Sequence, residues 1–262
     1  MSRSLTDQDA AHWLDNPVWS ALSTRHRRFA LVDGRARRMI PEIGPFAALP
    51  HDDAREPDAL ARLVAASGSG ITLMKVGKIE IPDALPIEAT GTGVQMIARS
   101  PMKAHGPSGI EPLGLVDMKD MLALTDLTKP GPFKAGTHKL GQYWGVRVDG
   151  RLVAMAGERL KQPGFTEVSA VCVHPDHRGK GLGARLTTHV AAAIQARGEC
   201  AYLHAVAENV GAIRLYEKLG FRVRCEVQLA WLLPPSGRVG SWIETASGAP
   251  QPLSASTPSA LA

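Results

Sequence analysis

Apolar and polar residues follow two different periods along the chain, and together they predict a mixed α/β protein. Residues 221–231 are apolar at every second position, which is typical of a strand with one buried face. Residues 181–196 are apolar at three- and four-residue spacing, which is typical of a helix with one buried face. The same patterns predict strands at 71–76, 94–98, 168–173 and 201–206, and helices at 56–66, at 116–127 and from 209 onward.

Two hairpins are predicted around Asp-Gly turns, one within residues 29–35 and one within 142–160. Both contain the tetrapeptide Val-Asp-Gly-Arg, starting at Val32 and at Val148. The repeat favours either a duplicated unit, with the front half a degenerate copy, or a coincidence between two ordinary hairpin turns. Residues 82–93 are rich in Pro, Gly and Thr and are predicted to form a loop.

Proline and glycine cluster between residues 100 and 112, which predicts a domain boundary there. We therefore expect an N-terminal domain over residues 1–110 and a second domain over 111–233. Residues 234–262 are rich in Pro, Ser, Ala and Gly and are predicted to be a disordered tail.

The composition is that of a soluble globular protein, with 44% hydrophobic and 21% charged residues. The net charge of +5 suits an anionic ligand and is too small to indicate a nucleic-acid-binding protein. The three cysteines lie too far apart for metal spacing or a disulfide framework, which favours the cytoplasm. No apolar run reaches the roughly 20 residues of a membrane span, and the polar N-terminus lacks a secretory signal.

A glycine-rich segment, Arg-Gly-Lys-Gly-Leu-Gly at 178–183, joins the strand predicted at 168–173 to the helix that follows. Glycines leave backbone amides uncovered at the positive end of the helix dipole, and such amides bind a diphosphate well. The spacing excludes both the dinucleotide fingerprint and the P-loop. Taken alone, the segment could also be a plain turn.

A second motif lies downstream, Asn209-x-x-Ala-x-x-Leu-Tyr216-Glu-Lys-x-Gly220-Phe221. Together with Arg178-x-x-Gly181-x-Gly183 it resembles the GNAT superfamily of acyl-CoA-dependent N-acyltransferases, and the two-half arrangement is similar to its glycine N-acyltransferase-like branch. The resemblance implies the GNAT fold, an α/β (α+β) architecture with a mixed, largely antiparallel sheet flanked by helices. The smaller N-terminal half would be a GNAT-like domain that helps to wall the acceptor pocket.

The resemblance also implies where acetyl-CoA would bind, namely in a cleft between the strands at 168–173 and 201–206. Backbone groups near Val171 and Val173 would bind the pantetheine arm. Asn209 would cap its helix and touch the pantetheine, although a purely structural cap is an equal alternative. The diphosphate would lie on the loop formed by Arg178, Gly179, Lys180, Gly181, Leu182 and Gly183.

Tyr216 matches the family's proton donor, which would protonate the thiolate of coenzyme A as it leaves. The alternative is an ordinary core tyrosine. Glu167, at the start of the strand before the loop, is the candidate general base acting through water, with Glu158 and His204 in reserve. The alternative for Glu167 is a solvated glutamate at a strand entry.

The function implied is transfer of an acetyl group from acetyl-CoA to a primary amine by direct attack. The acceptor would be a small amine, an amino acid or a protein amine, and pairing through the last hairpin would make a homodimer. Two alternatives are a catalytically silent acyl-CoA-binding regulator and a nucleic-acid module that uses the basic run 25–38.

No metal or covalent intermediate is expected. His174 and His177 flank a turn without a third ligand nearby and are expected to face solvent. Cys172 lies in an apolar strand and is expected to be a small core residue.

Overall fold

A computed structural model describes residues 7–50, 57–102 and 109–235. The helices are α1 (Asp7–Leu14), α2 (Pro17–Ser23), α3 (Pro57–Ser67), α4 (Met118–Thr128), α5 (Leu182–Ala196) and α6 (Val210–Lys218). The strands are β1 (Ala30–Asp33), β2 (Ala36–Met39), β3 (Ala47–Ala48), β4 (Ile71–Lys75), β5 (Ile87–Ala98), β6 (Glu111–Leu113), β7 (Tyr143–Val148), β8 (Arg151–Gln162), β9 (Phe165–Val173), β10 (Cys200–Val206) and β11 (Phe221–Leu232).

Eight of these strands form one large sheet in the order β4-β11-β5-β10-β9-β8-β7-β6. The described neighbours in this sheet are antiparallel except for β9 and β10, which run parallel. Strands β1, β2 and β3 form a separate small sheet. The expectation of a mixed, largely antiparallel sheet flanked by helices is therefore confirmed.

The front half of the chain contributes directly to the large sheet. Strand β5 lies between β10 and β11, and β4 lies beyond β11. The boundary predicted between residues 110 and 111 therefore does not separate two sheets, because strands from both sides of it alternate. The predicted tail at 234–262 lies, except for its first two residues, outside the described residues.

The loop predicted at 82–93 is wrong in its second half, because β5 already begins at Ile87. Glycine here permits close strand approach: a Cβ on Gly93 would lie 2.9 Å from the carbonyl oxygen of Ala205 and 3.3 Å from Val227 Cγ2. The glycine that suggested a loop is therefore required where neighbouring strands pack closely within the sheet.

Strand β11 departs from the simple alternation that its sequence predicts. Its register against β5 shifts between Val223 and Cys225, so that Arg224 is an extra residue in a β-bulge. Before the bulge, Phe221 packs in the cluster beneath α5; after it, Val227 packs in the cluster beneath α2. Strand β11 therefore contributes side chains to two hydrophobic clusters, which lie on opposite faces of the sheet.

The two faces are covered by different helices. Helix α5 buries Leu186, Val190 and Ile194 against one face, where Ala201 and Leu203 of β10 lie. Tyr202, between these two residues, packs instead against α1 on the other face. Helices α2 and α4 also cover that second face. No helix in the described part of the chain is long and apolar enough to cross a membrane.

Candidate functional site

Strands β9 and β10 separate after a short stretch of pairing. Only three residue pairs join them, from Phe165 with Cys200 to Glu167 with Tyr202. Farther on, β9 continues its pairing with β8, and β10 pairs with β5. The two strands thus stop pairing where the sequence predicted a cleft, while each stays paired with its other neighbour.

A bulge in β9 lies beside this divergence. The register against β8 shifts between Met155 and Gly157, and Ala170 takes a positive φ of 51°. Val171, within the bulge, and Val173, after it, are half-buried and pack against the cluster beneath α5. Their side chains also approach the glycine loop, since a Cβ on Gly183 would lie 3.6 Å from Val173 Cγ2 and 3.9 Å from Val171 Cγ1.

The glycine loop has open space where side chains would otherwise be. Gly179 and Gly181 have φ values of 74° and 73°, which favour glycine over other residues. A Cβ on either residue would meet no atom within 4 Å. Gly181 is the N-cap of α5, so the loop leads directly into the helix N-terminus.

The backbone amides of this loop are available to a ligand. The flanking bonds run from Arg178 N to the oxygen of Pro175 (3.2 Å) and from Arg185 N to the oxygen of Gly181 (3.0 Å). Within the described residues, no backbone bond uses the amides from 179 to 183 outside the helix ladder, which cannot satisfy its first-turn amides. Arg178 and Lys180 are exposed and add positive charge. The arrangement suits an anion with several acceptor oxygens.

Asn209 is the N-cap residue of α6. Its Oδ1 accepts a hydrogen bond from the amide of Ala212 at 3.1 Å, so the predicted N-cap is formed. The side-chain NH₂ group is left for any contact with a ligand, because the cap uses the oxygen.

Tyr216 lies on α6 and packs against the cluster beneath α5. Its ring centroid is 6.2 Å from that of Phe221. Burial raises the pKa of the Tyr216 phenol to about 12, so the hydroxyl stays protonated at neutral pH. The residue therefore packs against the core and also carries a phenol that is able to donate a proton.

Glu167 is fully buried, which contradicts the expectation of a carboxylate in contact with solvent. Arg159 binds it in a bidentate pair at 2.8 Å and 2.7 Å, and the amide of Leu160 donates to it at 3.2 Å. His204 Nδ1 lies 2.7 Å from the same carboxylate. Burial alone would raise the pKa of Glu167, but the charge and hydrogen bonds of Arg159 and the bond from His204 hold it far below 4.5. This geometry argues against a base that works through water.

His204 belongs to a buried hydrogen-bond network that also fixes its tautomer. Arg224, which can only donate, binds Gln95 Oε1 at 2.6 Å, so the Gln95 amide group faces away from it. Gln95 Nε2 therefore donates to His204 Nε2 at 3.0 Å and to the oxygen of Leu14 at 2.9 Å. It follows that Nδ1 of His204 carries the proton and donates it to Glu167. Arg224 also pairs with Asp15.

Gln95, Arg159 and Arg224 were missed by sequence reasoning. The available clue was a polar residue between apolar ones in a strand, as at Gln95. Such a residue needs a partner, but the sequence does not say which strand supplies it.

Glu158, the other reserve base, is also enclosed. Lys161 Nζ lies 2.6 Å and Arg197 Nη2 lies 2.8 Å from its two oxygens. Its position between two cations favours a structural ion pair over proton transfer.

The expectation for His174 was wrong, because the residue is buried and not solvent-facing. Arg151 donates to its Nε2 at 2.9 Å, which ties the turn to β8. Within the described ranges, no group of three His, Cys, Asp or Glu side chains could hold a metal ion. Cys172 is buried in the cluster beneath α4, and burial raises the pKa of its thiol to about 11, as suits a core residue.

Three arginines of the basic run 25–38 have partners within the protein or are buried. Arg25 pairs with Glu199 at 2.8 Å, and Arg37 bonds to backbone oxygens of its own hairpin. Arg38 is fully buried. These positions argue against a nucleic-acid interface on this hairpin.

The site thus combines two parallel strands that separate with a glycine loop whose amides are open, on an α/β fold. A solved structure of a putative acetyltransferase from the GNAT family of Novosphingobium aromaticivorans is 41% identical to this chain. The similarity covers 85% of this chain and 99% of that one, with a TM-score of 0.80. The chain belongs to the GNAT family.

The family model and the curated relatives match a smaller part of the chain. The model of the FR47-like protein family matches residues 143–232. Mycothiol acetyltransferase of Mycobacterium avium is 36% identical over 85 residues, which cover 29% of this chain and 27% of that protein. N-alpha-acetyltransferase RimI of Mycobacterium tuberculosis is 39% identical over 83 residues, which cover 30% of this chain and 51% of that protein. The chain thus spans about half or less of these curated relatives.

Replacing Glu167 by Gln should cost about 3–5 kcal/mol of unfolding free energy at pH 7, because Arg159 would lose its buried partner. The folded-state pKa is lowered, so the ionised carboxylate stabilises the fold above the unfolded pKa of about 4.5. That contribution disappears as the pH falls through the folded-state pKa, so the gap between wild type and variant should narrow below about pH 4.5.

Urea unfolding at several pH values measures both effects. Glu226→Gln, at an exposed carboxylate on β11, is the control and should change the unfolding free energy by less than about 0.5 kcal/mol. A gap for Glu167→Gln that stays constant on acidification would contradict the inference.

Proposed function

We propose that the protein transfers an acetyl group from acetyl-CoA to a primary amine by direct attack of the amine on the thioester. The observation that carries this proposal is the pair of positive-φ glycines, Gly179 and Gly181, with open space where a Cβ would be and free amides beside them. Membership in a family with members named as acetyltransferases supports the same reaction.

The chain's residues would hold acetyl-CoA at three places. The amides from Arg178 to Gly183 would bind the diphosphate, with the side chains of Arg178 and Lys180 adding charge. The edge of β9 at Val171 and Val173 would bind the pantetheine arm in the gap that β10 leaves. The side-chain NH₂ of Asn209 would reach the same arm from the start of α6.

Tyr216 would supply a proton to the departing thiolate. Its pKa of about 12, raised by burial, keeps the hydroxyl protonated across the range in which an enzyme works. The apolar packing of the ring against the cluster beneath α5 would fix its position.

His204 is the group we propose as the proton acceptor for the attacking amine. Its Nε2 has a lone pair, whereas Glu167 and Glu158 are enclosed by cations. Glu167 would then act as a positioning residue that holds the ring through Nδ1. The proton that leaves the amine nitrogen would bond to Nε2, and the Gln95 amide must withdraw for this to happen.

The acceptor is either a small amine, such as an amino acid, or a protein amine. The curated relatives include a mycothiol acetyltransferase and an N-alpha-acetyltransferase, so their names support both kinds. The front half of the chain would determine which kind of acceptor binds. Its helix α1 lies on the same face of the sheet as His204, the proposed proton acceptor. Placement in the glycine N-acyltransferase-like branch is a proposal that rests on the two-half arrangement alone.

Gly181→Ala should weaken acetyl-CoA binding by at least about tenfold, because a Cβ would enter the space proposed for the diphosphate. Gly150→Ala is a matched control: its φ of 77° carries the same backbone strain, and its Cβ also meets nothing within 4 Å. Calorimetric titration with acetyl-CoA measures both. If the two variants bound acetyl-CoA with equal affinity, the glycine loop would not be part of the acetyl-CoA binding site.

Tyr216→Phe should lower kcat by about 10²–10⁴-fold and leave the acetyl-CoA dissociation constant nearly unchanged, because only the proton donor is lost. The assay is a panel of amines with acetyl-CoA, following release of the free thiol. Tyr202→Phe, which removes a buried hydroxyl bonded to Gln162, should keep its kcat. A wild-type protein that binds acetyl-CoA and acetylates no amine in the panel would favour the silent regulator.

His204→Asn should lower kcat/KM by about 10²–10⁴-fold, since the amide can still donate to Glu167 but cannot take up a proton. Thermal unfolding and acetyl-CoA titration would show whether the fold and cofactor site are retained. If this variant turned over as fast as wild type, another acceptor for the proton would have to exist.

A further inference from the structure

Arg38 is a buried arginine without a carboxylate partner. It lies on β2, opposite Ala47 of β3, and its side chain is fully buried. Nη2 donates to Ser69 Oγ at 2.7 Å. Its Nε and Nη1 are also buried, and neither has a hydrogen-bond partner among the residues that the structure describes.

A second cation, Lys134, contacts the chain three residues after Arg38. Burial lowers the pKa of Lys134, and the positive charge of Arg38 lowers it further, which Glu42 partly offsets. Lys134 Nζ donates to the oxygen of Pro41 at 2.8 Å. Among the described residues, neither Arg38 nor Lys134 forms an ion pair with a carboxylate within 4.0 Å.

Elsewhere the chain supplies its own partners for arginine. Arg159 is paired with Glu167 at 2.7 Å, and Arg62 is paired with Asp33 at 2.7 Å. Arg38 differs from these arginines because it has no carboxylate partner among the described residues. It is nevertheless more deeply buried than its neighbour Arg37.

A charge in this position needs a negative partner. Burial lowers the pKa of Arg38 to about 10, so the guanidinium remains charged at neutral pH. A buried water could accept from the two open nitrogens but would not neutralise the charge, and an unpaired buried charge is strongly unfavourable. Two donor nitrogens in a planar fork match the oxygens of a carboxylate or an inorganic oxyanion.

We propose that Arg38, Ser69 and Lys134 form a binding site for a small anion. Ser69 and Lys134 are half-buried, so the site opens toward solvent on their side. The anion would join β2 to the end of α3 and to the segment before β7, and so connect the front half of the chain to the back half. This site lies apart from the glycine loop and does not depend on the proposed acetyl transfer.

Thermal unfolding of the full chain tests the proposal, with phosphate, acetate and bromide compared at constant ionic strength. The wild-type Tm should rise with the logarithm of the concentration of at least one anion, since a ligand that binds the folded state stabilises it. In Arg38→Met the slope should fall to less than about half, with any remainder due to anions on the glycine loop. In anion-poor buffer this variant should be at least as stable as wild type, because the buried charge is gone.

Arg37→Met is the matched control, because this neighbour is less buried and bonds to backbone oxygens of its own hairpin. Its anion dependence should equal that of wild type. Should Arg38→Met fail to fold, Ser69→Ala removes one ligand of the site and should also reduce the slope.

Crystals grown in bromide give a direct measurement. An anomalous peak within hydrogen-bond distance of the Arg38 guanidinium, absent in the Arg38→Met crystal, supports the site. Anion slopes that are equal in wild type and Arg38→Met, or density for water alone beside Arg38, would overturn it.

Discussion

The site depends on one structural feature, which is that β9 and β10 stop pairing after three residue pairs. They run parallel, while β8 and β5 stay paired with their outer edges. The bulge at Ala170 lies beside the gap that results, and the glycine loop lies at its mouth. An extended ligand can form hydrogen bonds with the backbone groups of a strand edge that has no neighbouring strand.

The parts of the site that are local in sequence were predictable. The glycine loop, the N-cap at Asn209 and the placement of Tyr216 on α6 each follow from residues close together in the chain. Their physical causes, backbone freedom at glycine and side-chain capping, act over a few residues. For that reason the strand–loop–helix order was confirmed.

The parts that depend on distant residues were not predictable. Nothing near Glu167 in the sequence shows that His204 and Arg159 will enclose it, and nothing near Gln95 identifies Arg224 as its partner. The bulge at Arg224 is equally hidden, because an alternating pattern looks the same whether or not one residue is left over. Sequence reasoning therefore placed a general base at Glu167, where the structure has a closed ion pair.

The insertion of β5 between β10 and β11 has a consequence for how the molecule is made. Strand β5 ends at residue 98, but its two neighbours begin at residues 200 and 221. During synthesis the centre of the sheet cannot form until β11 has left the ribosome, and these distant pairings imply slow folding. The halves on either side of residue 110 are thus not separable modules: cutting the chain there would leave β10 and β11 with a gap one strand wide.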